Sequence, residues 1–294
     1  MKTLKEFFEK ASKSSYRRAV VAGAEDAEAV KAAFEAVKMG ILDDVTLVGN
    51  KEIVSCEDKN FSIIHASTEA ECAETSVKLI SSGKADILIK GLVKTSTLLK
   101  AVLNKEWGLR GSGLLSHIAA VEVPYLPKVV FITDGGIVIR PTLEQKITII
   151  KNAVKFLHSI GYESPKVAIV CAVETVNPDM PETVEAAVLA KMGQRGEFGR
   201  CLVDGPLGLD NALNLNAAKV KGVKSDVAGD ADLLVVPDIH AGNLLGKSAV
   251  YFAGGKIAGI VIGAKAPVVL VSRADTFESK LFSIAMAVSY NQEM

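Results

Sequence analysis

Ser272, Arg273 and Asp275 follow directly on the apolar run 267–271, so a hydroxyl, a guanidinium and a carboxylate gather within four residues at the end of a predicted strand. Arginine offers a planar fork of donors that matches phosphate, and a nearby carboxylate is a candidate proton acceptor. The same residues also suit a plain helix start, with Ser272 or Asp275 as cap and Arg273 in solvent. A second anion candidate is Lys90-Gly91-Leu92-Val93-Lys94-Thr95-Ser96-Thr97, where two lysines and three hydroxyls open a helix behind a buried strand. Free backbone amides at such a helix start bind anions, although a capped helix with no ligand reads the same way. Arg110 lies in a third segment, the glycine-rich stretch 108–113, which permits close approach to a ligand or simply turns the chain.

The longest suggestive stretch runs from Gly229 to Asn243. A turn rich in Asp and Gly leads into a short strand, the strand stops at Pro237-Asp238, and Gly242-Asn243 are expected to open a helix. In open α/β sheets, ligands gather at the carboxyl ends of strands. His117 and His240 are candidate general bases, but a lone histidine is more often a structural hydrogen-bonder. Gly242-Asn243-Leu244-Leu245-Gly246-Lys247-Ser248 has three residues between its glycines where a phosphate-binding loop has four. Neither a G-x-G-x-x-G fingerprint nor a G-x-S-x-G elbow is present, so a covalent serine nucleophile is not indicated. Cys56, Cys72, Cys171 and Cys201 are scattered and read as reduced thiols with no zinc-site spacing.

The elements that must position these groups alternate along the chain. Strands are expected at 18–22, 45–48, 61–64, 85–89, 117–123, 129–132, 166–170, 201–204, 232–236, 257–262 and 268–271. Helices are expected at 27–39, 70–81, 97–104, 143–160, 181–192 and 277–290, with an amphipathic helix at the N-terminus. This alternation implies an α/β fold with mostly parallel sheets flanked by helices. The two strands close together at 115–130 mark the best division, giving a first domain of 1–127 plus 272–294 and a second of 128–271.

With 294 residues, 49% hydrophobic and 23% charged, the chain can build two cores. Its formal net charge is zero and only 5% of residues are aromatic, which argues against nucleic acid as a partner. No apolar run is long enough to span a bilayer and no signal-peptide pattern opens the chain, so a cytoplasmic protein without a membrane partner is expected.

Taken together, several ordered motifs resemble the phosphate acetyl/butyryltransferase family, most closely its phosphate butyryltransferase branch. They include Lys90-Gly91-Leu92, Leu114-Leu115-Ser116-His117, Thr133-Asp134-Gly135-Gly136, Ala172-Val173-Glu174-Thr175-Val176-Asn177-Pro178, Val203-Asp204-Gly205-Pro206-Leu207, the 229–243 stretch and Ser272-Arg273-Ala274-Asp275. The resemblance implies two α/β domains, the second inserted into the first with a cleft between them, and a homodimer or higher homo-oligomer. It implies reversible acyl transfer between coenzyme A and inorganic phosphate, both as substrates, with no metal and no other cofactor. On that reading Arg273 and Ser272 hold phosphate and Asp275, then Glu278, is the candidate base. Arg110, Lys90, Gly91, Thr95, Ser116, Gly242 and Asn243 are the candidate substrate-binding residues. His240, Val138, Arg140 and Lys94 depart from the pattern common among relatives, which bears on substrate preference.

Two other functions compete. A non-catalytic, acyl-CoA-binding relative would accommodate the departures at His240, Val138 and Arg140. A decarboxylating hydroxyacid dehydrogenase has a similar two-domain plan, and would need Asp204, Asp230, Asp232 and Asp238 around a metal beside a nicotinamide.

Overall fold

The computed structural model describes residues 1–15, 17–54, 58–111, 113–270 and 275–290. In chain order the elements are α1 (Glu6–Ala11), β1 (Arg18–Ala22), α2 (Ala27–Lys38), β2 (Asp44–Gly49), β3 (Phe61–His65), α3 (Glu69–Ser81), β4 (Ile87–Lys90) and α4 (Thr95–Val102). There follow β5 (Ser116–Glu122), β6 (Val130–Thr133), α5 (Leu143–Ser159), β7 (Lys166–Val170), α6 (Pro181–Gln194), β8 (Leu202–Leu207), α7 (Leu209–Leu213) and α8 (Leu215–Val220). The last five are β9 (Leu233–Val235), α9 (Ile239–Tyr251), β10 (Lys256–Ile262), β11 (Val268–Val269) and α10 (Phe277–Ser289). This is the mixed α/β architecture expected from the alternating pattern. Among the described residues no helix is long and apolar enough to cross a membrane.

The chain divides into two compact units. The first holds Leu4–Gly113 and Ala258–Met294, the second Met1–Thr3 and Leu114–Ile257. The expected division at 127/128 and 271/272 therefore gives way to one at 113/114 and 257/258. Strand pairing explains the difference. β5 goes with β6, its antiparallel partner through Ala119 opposite Ile132 and Ala120 opposite Phe131. β11 goes with β4, its parallel partner through Val268 opposite Leu88.

The first unit's sheet has the order β3-β2-β1-β4-β11-β10. Its pairs are parallel except β10 with β11, which meet at Val261 and Val268. β1 and β4 are buried along almost their whole length, as strands covered on both faces must be, so they read as continuous apolar runs. α10 is buried from Lys280 to Tyr290, stacks Phe282 on Phe8 at 5.0 Å, and passes the Ser289 hydroxyl to the Phe7 carbonyl at 3.1 Å. A helix buried all round belongs to a core rather than a surface.

The second unit's sheet has the order β5-β6-β9-β7-β8, parallel apart from β5. Its helices start where local chemistry dictates. Thr142 and Gln145 form a reciprocal capping box on α5, Pro181 opens α6, and the Asp238 carboxylate accepts from the Ala241 N–H at 2.9 Å to cap α9. One core cluster packs Val130, Ile132, Leu207, Leu234 and Val236 beneath partly buried Leu245 and Ala249 of α9.

Candidate active site

In the first unit, the carboxyl ends of β1 and β4 are pressed together. The Gly91 N–H donates to the Ala22 carbonyl at 2.8 Å and the Leu92 N–H to the Gly23 carbonyl at 2.7 Å. A Cβ on Gly91 would stand 2.2 Å from the Gly23 oxygen, so only glycine fits. Lys90 is buried, 7% exposed, and its Nζ donates to the Gly91 carbonyl at 3.2 Å. Thr95, half-buried, begins α4, whose preceding residue Lys94 contributes no side-chain cap. The Lys94 N–H instead donates to a Glu69 carboxylate oxygen. Arg110 is exposed, held at Nε by the Leu103 carbonyl at 2.7 Å and bridged through its backbone to Ala264. Lys90, Thr95 and Arg110 thus all belong to this one unit.

Ser272 and Arg273 lie outside the described residues. Their described neighbour Asp275 is half-buried, directly ahead of Thr276, which accepts from the Ser279 N–H at 3.2 Å to cap α10. Glu278 is exposed in the first turn of α10.

In the second unit, the segment after β6 organises the carboxyl edge. Asp134 is 2% exposed, and its carboxylate accepts from the N–H groups of Gly136 and Ile137 at 2.9 Å and of Val138 at 3.2 Å. A Cβ on Gly135 would meet the Gly242 backbone at 2.8 Å, and one on Gly136 would meet the His117 ring at 2.9 Å. The loop is thereby clamped between α9 and β5. Asp134 is not among the candidate residues of the sequence, although an acid followed by two glycines behind a buried strand is a legible signal.

Three expectations for this unit are corrected. α9 begins at Ile239, not at Gly242, because Asp238 is its cap. Gly242 therefore lies in the first turns as a buried packing residue, with a Cβ position 2.6 Å from the Gly135 Cα, while Asn243 is exposed. The amides of Ile239, Ala241 and Gly242 are already taken by the Ile139 carbonyl and by Asp238, so this helix start is largely satisfied without a ligand. Ser116 is fully buried and accepts from Asn152 Nδ2 at 3.0 Å, which makes it a structural hydroxyl.

A polar cluster that sequence reasoning missed stands at the ends of β7 and β8. Glu174 accepts from Asn211 Nδ2 at 3.0 Å and from Lys221 Nζ at 3.1 Å. The lysine hydrogen bond holds the Glu174 carboxyl below its ordinary range.

The acidic turn that opens the 229–243 stretch belongs to the opposite, amino edge. Lys128 meets Asp232 at 2.6 Å and Asp230 at 2.7 Å, Lys166 meets Asp230 at 2.7 Å, and the Lys166 N–H donates to Asp232 at 2.9 Å. Asp232 precedes β9, and Asp238 caps the helix beyond its other end. Asp204 is the third residue of β8. These four carboxylates do not converge, and among the described residues no three His, Cys, Asp or Glu side chains form a metal cage. Asp230 and Asp232 serve to pin strand starts.

The family pattern described as phosphate acetyl/butaryl transferase matches residues 69–288. The chain belongs to this family. A probable phosphate butyryltransferase of Bacillus subtilis is 46% identical over 99% of this chain and 98% of its own length. A phosphate acetyltransferase of Thermotoga maritima is 41% identical over 93% and 95%. Among solved structures, a branched-chain phosphotransacylase from Enterococcus faecalis superposes with a TM-score of 0.87 at 35% identity, covering 93% of this chain and 98% of that one. Relatives of the phosphate acyltransferase family thus match nearly the whole chain.

Proposed function

We propose that the protein transfers a short-chain acyl group, butyryl best, between coenzyme A and inorganic phosphate by direct attack. The observation that carries this reading is full-length identity of 46% to a probable phosphate butyryltransferase. Phosphate is held in the first unit by Arg273 and Ser272, with Lys90 and Arg110 supplying further positive charge. A phosphate oxygen attacks the thioester carbonyl, the carbon–sulfur bond breaks, and the proton lost by phosphate ends on the coenzyme A sulfur. In reverse, Asp275 is the first candidate to take the thiol proton, and Glu278 the next.

Direct attack is favoured because no activated thiol is available among the described residues. Burial pushes Cys171 and Cys201 each up to about 11 and raises Cys72 as well, so these stay protonated and poorly nucleophilic near neutral pH. Cys56 lies outside the described residues. The reaction changes no oxidation state and so needs no redox cofactor, and no metal is assigned to it. Val138 does not favour a non-catalytic relative, since it contributes its backbone N–H to Asp134 whatever its side chain.

Arg273→Ala tests the phosphate site. It is expected to lower kcat/KM for phosphate by about 100-fold, the scale of losing one charge-assisted clamp. Release of coenzyme A thiol from butyryl-CoA at varied phosphate reads it, and an unchanged phosphate dependence would remove Arg273 from the site.

A further inference from the structure

Lys280 is the fourth residue of α10 and is only 4% exposed. The charged side chains buried among the described residues are those of Lys90, Asp134, Lys146, Asp232 and Lys280. Four of them have partners. Lys90 donates to the Gly91 carbonyl, Asp134 accepts from three backbone N–H groups, Lys146 pairs with Glu185 and Asp232 pairs with Lys128. Lys280 makes neither an ion pair nor a side-chain hydrogen bond with any described residue. Two costs attach to its position. A charge withdrawn from water is expensive unless it is paired, and the opening turns of a helix repel a cation through the dipole. A lysine stem often lies buried while its ammonium stays in water, but 4% exposure over the whole residue leaves too little surface to hydrate an ammonium.

Strand register says where this ammonium lies. β10 meets β11 antiparallel with Val261 opposite Val268, so Gly259 is level with Leu270. β11 runs parallel to β4 with Val269 beside Ile89, so Leu270 is level with Lys90, the last residue of β4. That row is the carboxyl edge of the first unit's sheet. The Gly259 N–H donates to Ser283 Oγ at 2.9 Å, which pins α10 to the row. α10 follows the carboxyl end of β11, and Lys280 lies one turn nearer its start than Ser283, about 4.5 Å along the axis. It thus stands at the strand ends, where open α/β sheets hold ligands. One turn away on either side, Phe277 lies under Lys31 of α2 and Ser283 bonds β10, so the elements around Lys280 belong to the first unit. The buried Lys90 in the same row adds positive potential to this edge.

We propose that Lys280 is an anion-holding residue of the first unit and that its anion is the inorganic phosphate of the acyl transfer. The inference rests on the transferase reading above, which names the anion. An ammonium kept from bulk water and left unneutralised by the fold attracts a phosphate oxygen more strongly than a hydrated one does. Phosphate supplies the pairing that the chain leaves open.

The test reads phosphate binding without turnover, as the rise in Tm of the full-length protein titrated with inorganic phosphate, with coenzyme A present and absent. The wild type should be stabilised saturably. Lys280→Met keeps an unbranched stem and removes the charge. Its Kd for phosphate is expected to rise about tenfold or more, the scale of losing one charge-assisted hydrogen bond. Its Tm without phosphate should equal or exceed the wild-type value, because an unpaired buried charge has gone. In thiol release from butyryl-CoA, KM for phosphate should rise in step while KM for butyryl-CoA stays within about twofold. A merely structural lysine would instead lower the phosphate-free Tm and leave the phosphate Kd unchanged. An unchanged Kd overturns the proposal, as does a wild type that phosphate stabilises under neither condition. So does a Lys280→Met protein that loses stabilisation by coenzyme A and keeps that by phosphate. If Lys280→Met does not fold, a crystal structure of the wild type with inorganic phosphate decides. A phosphate oxygen within hydrogen-bond distance of Lys280 Nζ upholds the proposal, and phosphate bound elsewhere or not at all overturns it. Wild-type thiol release that ignores phosphate defeats the transferase reading itself, whereas phosphate-dependent release with an unchanged Kd in Lys280→Met defeats only this inference.

Discussion

Ser116 and Gly91 show how a residue's environment decides between chemistry and packing. Ser116 stands in a motif that resembles the family, yet its hydroxyl is fully buried against Asn152. Ser116→Ala is expected to cost about 1 kcal/mol in urea unfolding, because the Asn152 amide loses an acceptor, and to leave KM for butyryl-CoA unchanged. Gly91→Ala would push a methyl to 2.2 Å from the Gly23 oxygen, which is backbone and cannot swing away. A loss of about 3 kcal/mol or more follows from overpacking, with activity lost alongside it, and chemical denaturation measures it. The sequence made Lys90, Gly91, Thr95 and Arg110 legible as one unit's anion candidates because lysine, arginine and a helix start declare themselves by type. It could not show that Ser116 is buried, or that Gly242 is needed for contact with Gly135, since both facts depend on partners more than 30 residues away or across a sheet.

Strands and most helices followed their periodicity closely, because apolar runs of strand length and capping residues are local signals. β7 spans Lys166–Val170 and α5 Leu143–Ser159, within a residue of expectation. Direction was not legible. Nothing in its composition says that β5 is antiparallel, and this one fact moves His117 to the carboxyl edge. Nor does the 229–243 stretch reveal that its first acids and its last belong to opposite ends of β9. Asp238 caps α9, so Asp238→Ala should cost about 1 kcal/mol in thermal or urea unfolding. At the other edge, hydrogen bonds from Lys128 and Lys166 hold the Asp230 carboxyl below its ordinary 3.8. A carboxyl lowered by folding stabilises the fold fully above its unfolded value and ceases to do so as pH falls through the folded value. Asp230→Asn should therefore be less stable than the wild type at neutral pH, and the gap should close below about pH 3.8. A gap that persists or widens in acid would show that the pairing with Lys128 and Lys166 is not its source.

Across the whole chain, alternation of strand and helix was enough to give an α/β protein, and its motifs were enough to give the family. The borders between units were not, because they are set by which strand pairs with which, not by any linker in the composition. Acyl preference is a property of the assembled pocket in the same sense. Two methylenes separate butyryl from acetyl, worth about 1.6 kcal/mol in a fitted apolar site, or roughly 15-fold in kcat/KM. The most direct measurement is thiol release from butyryl-CoA and acetyl-CoA, each with and without inorganic phosphate. Release that requires phosphate and yields acyl phosphate, with butyryl-CoA preferred by about tenfold or more, is the expected result. Release at the same rate without phosphate, or none from either thioester, would contradict a phosphate acyltransferase.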